Sequence, residues 1–517
     1  MNKISRYFIA GVTALLLTNC DSLDLEPTSS ITDANYWKTA DQFSAFNVGL
    51  AYQMRNLTGN FFLLGEPRAN LYDNEPFSGE APQGMERLPF NTLNAQNVGI
   101  SNFGGMYSVI NQLNLFISKT EETANLDDAD KGYFLGAAYG MRAYLYFHLL
   151  RSWGNVIIYT DYTAGGTLDL SNLSKAASPA SEVMNFIKSD IEASEKAFNG
   201  NFAFTYGREY WSLPATEILK GEVYLWSGRQ MNGGSGDYTI ALSALQGIQQ
   251  NANVALMSTY ADVFAFANKK NKEVIFCLHN SKDDGHTLMG GVYSGNMIPQ
   301  SQFLPTYYDK DGKHFGSQLN GLIRLGLRRD IYHKLYREDD TRKTNITGVY
   351  QLDEEGNLQY YACFANKYPG VMLDGASTIS FYDDDVLYRY SDCLLLIAEA
   401  KALLGQAPTQ EINQVRERAY GADYFAAHKA ELGYPNDNGD LYTDNTYCAA
   451  DNAGALEAVL KERLREFIFE GKRWYDLRLL GGEFIKKYTL ADESRLLWPI
   501  DANTLTNNKD LQQTEGY

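Results

Sequence analysis

No Cys-x-x-Cys pair occurs in the 517 residues, and the five cysteines, Cys20, Cys277, Cys363, Cys393 and Cys448, stand far apart. This spacing excludes zinc-ribbon and dithiol redox chemistry, which need two thiolates within a few residues of each other. Histidine is scarce and scattered, with six in the whole chain. The patterns GxSxG, HExxH, GxxxxGK[ST] and GxGxxG are absent, so the common hydrolase, metalloprotease and nucleotide-binding signatures are missing. Positive charge is short as well: 45 Lys and Arg face 63 Asp and Glu, a formal net charge of −18. A surface of that sign repels phosphate, which excludes nucleic acid and anionic lipid head groups as partners. No metal and no cofactor is expected. A glycosidase needs no motif beyond two well-placed carboxylates, so motif absence does not dispose of one.

Long apolar runs are lacking too. The run from Phe8 to Leu17 follows Lys3 and Arg6 and is too short to span a bilayer, so residues 1–19 read as a secretory signal. Cys20, after Leu17-Thr18-Asn19, occupies a place that resembles the lipidation cysteine of a bacterial lipoprotein, with Asn19 where a smaller residue is usual. Acyl chains on Cys20 would anchor the protein without a membrane span. Residues 20–35, with Pro27 and several Ser and Thr, form a polar tether from that anchor.

What the chain has in quantity is aromatic rings: 36 Tyr, 26 Phe and 6 Trp. Most must fill a core, but Tyr in Gly- and Asn-rich loops is also what a carbohydrate surface needs, a rigid apolar face with a polar tip. Helical spacing begins after Thr39, where Thr39 and Gln42 form a capping box. Residues 57–105 then lose all periodicity, and so long a connection is usually functional. Helices are predicted over 106–120 and 128–150, from Ser178-Pro179 to about Phe198, and from Pro214 to Gly228. A further one is opened by Tyr238, Ala241 and Leu245, and the W..G then Y..A spacing resembles tetratricopeptide repeats.

From 253 to 385 the pattern changes to short strands and turns. The run from Glu273 to His279 is the clearest strand, and the stretches from Asp309 to Gly312 and from Asp353 to Asn357 are turns. Helices return over 386–404, 410–420 and 456–470. Between the last two, the acidic loop from Asn436 to Asp440 fails the EF-hand spacing and reads as a solvated turn. In Glu462 to Arg478, ERLREFIFEGKRWYDLR, an apolar helical stripe runs into dense alternating charge with Gly471 as a turn. That is the pattern of an ion-paired structural latch rather than of a catalytic centre.

Three stretches, ER..EFIFEGKRWYDLR, YRYSDCLLLIAEAKALLG from Tyr388 to Gly405, and the closing LWPI....L..NKDLQQTEGY, together resemble the SusD/RagB family of nutrient-binding outer-membrane lipoproteins. Their order and spacing match, and so does the lipoprotein signal. The resemblance implies a mainly α fold of tetratricopeptide-like repeats over about 36–252 and 386–480, with a loop and short-strand insert over about 253–385. Residues 36–517 are then a single domain. It implies no enzyme, but a cell-surface lipoprotein of the outer membrane that captures oligosaccharide and hands it to a SusC-like TonB-dependent transporter. An oligopeptide receptor of the RagB type, or a repeat scaffold binding only proteins, are the alternatives.

In that family the ligand contacts lie in the loop after the first helix and in a Gly/Tyr stretch of the insert, here GEPRANLYDNEPF and LMGGVYSGNMIPQSQF. Tyr72, Phe77 and Tyr293 are the expected ring faces, and Arg68, Asp73, Asn74 and Asn296 the expected hydrogen-bonding groups. Neither loop holds a tryptophan, which speaks against a wide starch-type platform.

Overall fold

Apolar side chains at helical spacing pair off into packed helices in this computed structural model, which describes residues 36–69, 71–73, 83–99, 103–162, 174–436 and 454–517. The signal, Cys20, the tether, Asn74, Phe77, Cys448 and the acidic loop beyond Asn436 lie outside the described residues. Helix α1 (Ala40–Arg55) starts on the expected box, with Thr39 Oγ1 accepting from Gln42 N and Gln42 Oε1 accepting from Thr39 N at 3.1 Å. Helix α2 (Thr58–Gly65) and the two-residue strand β1 (Tyr72–Asp73) follow. The 57–105 stretch therefore opens with a helix the sequence hid: Phe61, Phe62 and Leu64 bury almost all round it, so it shows no amphipathic period.

Then come α3 (Gly105–Glu122), α4 (Asp128–Trp153), α5 (Ala180–Phe198), α6 (Leu213–Gln230) and α7 (Gly234–Gln249). Helix α4 lies along α5 and α6 along α7. The second pair shows why repeat-like spacing matters. A Cβ on Gly228 would sit 2.4 Å from the Tyr238 ring and one on Gly221 2.7 Å from Leu245, so glycine on α6 makes room for the large residues of α7. Pro179 caps α5 rather than occupying its first turn, a shift of one residue from the prediction.

The insert carries α8 (Tyr260–Phe264), β2 (Val274–Leu278), α9 (Val292–Met297), β3 (Gly326–Leu327), α10 (Arg329–Lys334), β4 (Ile346–Leu352), β5 (Leu358–Ala365), β6 (Val371–Met372), β7 (Ile379–Ser380) and β8 (Asp385–Arg389). All its sheets are two-stranded and antiparallel, pairing β1 with β3, β2 with β8, β4 with β5 and β6 with β7. The fold is mainly α, with this short-strand insert against it. One boundary is corrected: residues 386–389, expected to begin a helix, are drawn into β8 by the buried strand β2, and α11 (Tyr390–Leu403) starts only afterwards. After it come α12 (Thr409–Tyr420), α13 (Ala455–Phe467) and α14 (Arg473–Leu480), with shorter helices at Ala422–Ala427, Lys429–Leu432, Gly482–Tyr488 and Ala502–Asn507. Cys277, Cys363 and Cys393 are buried free thiols.

The latch is buried outright. Glu462 and Glu466 lie one turn apart on α13, and Glu470 follows just past its end. Like charges so spaced repel, and they are met by basic groups from the insert and, for Glu462 and Glu466, from α12 as well. Arg389 gives Nε and Nη2 to Glu470 at 2.9 and 2.7 Å and Nη1 to Glu273 and Glu466. Arg342 reaches Asp340, Glu462 and Glu466, while Arg416 bonds Glu462 at 2.9 Å and Arg418 bonds Glu273 and Glu466. Burial alone would raise the Glu466 carboxyl; the guanidiniums of Arg418, Arg389 and Arg342 outweigh it and hold the group far below the usual carboxylate range.

Candidate functional site

The two loops singled out by the sequence meet. Strand β1 pairs with β3, setting Tyr72 opposite Leu327 and Asp73 opposite Gly326. The end of α9 meets 321–325: Met297 forms an antiparallel bridge with Ile323, flanked by the Pro299 carbonyl accepting from Gly321 N at 3.1 Å and the Asn296 carbonyl accepting from Leu325 N at 3.0 Å. Strand β1 thus ends at Asp73, held against Gly326 of a platform built by the insert.

Most of the named side chains do not face out of that platform. Arg68 is 0% exposed: Nε bonds Asn91 Oδ1 at 2.7 Å, Nη1 the Leu497 carbonyl at 2.8 Å, and the guanidinium lies over Trp474 and Trp498 at 4.5 and 5.1 Å. Burial lowers its pKa to about 10. Tyr72 is buried and donates its hydroxyl to Glu66 Oε1 at 2.9 Å. Tyr293 is 0% exposed, edge-on to Tyr368 and Phe381. Asn296 bonds the Val292 carbonyl from its amide at 3.0 Å and is buried. Arg68, Tyr72, Tyr293 and Asn296, expected as ligand contacts, are thus buried in this structure, and their bonds and ring contacts are made within the chain. Asp73 stays half-exposed at the end of β1.

The groups that do reach the surface lie on the loops flanking the Pro299–Gly321 hydrogen bond, and the sequence reading did not single them out. Gln300, Ser301, Gln302 and Asn320 are mainly amide groups on loops, with Gln302 Nε2 on Gln300 Oε1 at 2.8 Å and Ser301 Oγ on Asn320 Oδ1 at 3.4 Å. Each amide offers both donors and acceptors, the match for hydroxyl-rich ligands. PQSQF in a turn-rich stretch was the available signal, read for its ring and glycines instead of its amides. Among the described residues no group of three or more His, Cys, Asp or Glu is arranged to hold a metal ion.

Glu66, also missed, fixes the loop to the latch. Its carboxylate accepts from Tyr72 Oη, from Phe469 N at 2.9 Å and from Gly471 N at 2.9 Å, and it is 0% exposed. Burial raises its pKa to about 7 against those hydrogen bonds, which lower it. A folded-state pKa above the unfolded one means that the folded chain holds a proton the unfolded chain lacks between about 4.5 and 7, so this group's stabilisation falls as pH rises through that window. Relative to Glu66→Gln, the parent is expected to lose up to about 3 kcal/mol from pH 4.5 to 8 in denaturant melts. Parallel pH profiles would refute this.

The sequence profile of the SusD family matches residues 267–478. Over the whole fold the chain is similar to B. fragilis NanU, 59% identical with a TM-score of 0.90, covering 95% of this chain and 99% of that one. A SusD superfamily protein from Bacteroides vulgatus is 56% identical with a TM-score of 0.88, covering 93% of this chain and all of the other. A laminarin binding SusD-like protein, 19% identical with a TM-score of 0.68 over 93% of this chain and 100% of that one, shares the fold. No described helix is long and apolar enough to cross a membrane.

Proposed function

Because the chain belongs to the SusD family, we propose that it is a non-catalytic receptor of the cell surface that binds oligosaccharide on the platform beside β1 and β3 and passes it to a SusC-like transporter of the outer membrane. Cys20 is then its lipid anchor, and Asp73, Asn74 and Phe77 are its loop contacts. The observation that carries this reading is the β1–β3 pairing, which holds the half-exposed Asp73 against Gly326, next in the chain to the segment that Met297 bridges at Ile323. Hydroxyls need many fixed donors and acceptors and a ring face; the amides of Gln300, Gln302 and Asn320 suit the first, and Phe77 is the residue proposed for the second. The laminarin binding protein shows that this fold is compatible with a glycan ligand.

Calorimetry against a panel of neutral and acidic oligosaccharides tests the binding step. Asp73→Ala is expected to weaken the best ligand by about tenfold or more, the worth of one hydrogen bond to a charged group. A folded parent that binds none of the panel, or an Asp73→Ala, Phe77→Ala double variant that binds as tightly as the parent, overturns the reading. Delivery is tested apart from it: tagged chain purified from native membranes should bring down a large β-barrel protein, and its repeated absence removes the transporter step.

A further inference from the structure

A second concavity shares none of the platform residues. It lies between α10, the residues 338–344 and β4, encloses about 600 Å³ and opens to solvent. Small-molecule sites commonly span about 300–1,000 Å³. Its wall is aromatic and rigid. Tyr332 rests on Gly348 of β4, where a Cβ would come within 2.4 Å of its ring, so glycine is what admits it. Tyr332 stacks on Tyr360 at 5.4 Å and 17°, its hydroxyl is 3.1 Å from that of Tyr350, and Tyr350 crosses Tyr360 edge-on at 5.9 Å. Thr344, Thr347 and Asn366 add hydroxyl and amide groups to the lining.

The charges of the cleft are engaged with one another. Lys343 bonds Glu338, Lys310 bonds Asp311 at 2.9 Å, Asp339 takes Arg337 and the Tyr424 hydroxyl, and Asp340 takes Arg342 at 2.8 Å. Asp309 spends Oδ1 on Asp311 N and Lys313 N. Both lysines of the lining are thus already paired with carboxylates, and burial together with Arg329 and Lys343 pushes the His333 pKa down, so neither they nor His333 offers a ready cation at neutral pH. An acid group entering there finds both lysines already paired, whereas a neutral sugar meets ring edges, hydroxyls and acceptors.

We propose that this cleft is a second saccharide site, one that takes sugar units without an acid group. It rests on the saccharide class adopted for the platform, but on different residues. Crystals of the full chain soaked with a neutral laminari-oligosaccharide are expected to show it beside Tyr350, and those soaked with a hexuronic-acid oligomer to show nothing there. Calorimetry with the neutral oligomer is expected to weaken by about tenfold in its cleft phase for Tyr350→Ala. Should Tyr350→Ala melt early, Thr344→Trp, at an exposed rim position, fills the cleft and is expected to give the same loss.

Density at the platform alone, or the acidic oligomer bound in the cleft, overturns the second site and leaves the receptor reading standing. Density in the cleft alone supports the second site and sinks the platform assignment instead. Density at neither place, or binding at crystal concentration only with parent and both variants alike in calorimetry, overturns the second site.

Discussion

Arg389→Ala is expected to lower the stability of the folded chain by about 3–5 kcal/mol, the cost of breaking a buried ion pair from one side. The arginine is 0% exposed and serves three carboxylates at once, Glu273, Glu466 and Glu470. Its removal strands negative charge that Arg418, Arg342 and Lys367 cover only in part. With ordinary domains stable by about 5–15 kcal/mol, such a loss leaves little margin. Chemical denaturation followed by circular dichroism reads it directly. A midpoint within about 0.5 kcal/mol of the parent would mean that the carboxylates take up protons or repack freely, and the latch would not be what closes the insert onto α12 and α13.

Gly65→Ala is the second large effect. A Cβ there would lie 1.7 Å from the Gly471 carbonyl oxygen and 2.6 Å from its carbon, and both are backbone, so no rotamer change relieves the clash. Gly471 in turn holds φ of +71°, a conformation that favours glycine, and its N–H is bound to Glu66. The loop and the latch must therefore part. A destabilisation of about 3 kcal/mol or more is expected, at the upper end for overpacking, with loss of ligand binding even where the helices persist. Gly49→Ala on α1, where nothing lies within 4 Å of the added carbon, is the control and is expected to gain about 0.5–1 kcal/mol from helix propensity. Equal melting of the two variants would sink the argument.

These residues also mark where the sequence was readable. Helix α1 declared itself by its capping box, and α6 and α7 by the first-turn Pro214 and the W..G then Y..A spacing that sets glycine against tyrosine. Helix α2 did not, since burial on nearly every side erases the polar face that makes a helix visible. Strand β8 was read as helix because Val386 and Leu387 suit either structure and β2, more than a hundred residues earlier, makes the choice.

The amino-acid sequence by itself determined that the chain is a helical-repeat protein with a short-strand insert, that it closes on an acidic and basic latch, and that its family is SusD. These follow from local period, charge alternation and motif order, all of which are written in neighbouring residues. Only the tertiary structure decided which side chains face outward. Arg68 and Tyr293 have the chemistry of ligand contacts, yet Trp474 and Trp498 enclose the one and Tyr368 and Phe381 the other. A polar or aromatic side chain is written the same way whether water or a distant ring lies beside it, and contacts across hundreds of residues settle which.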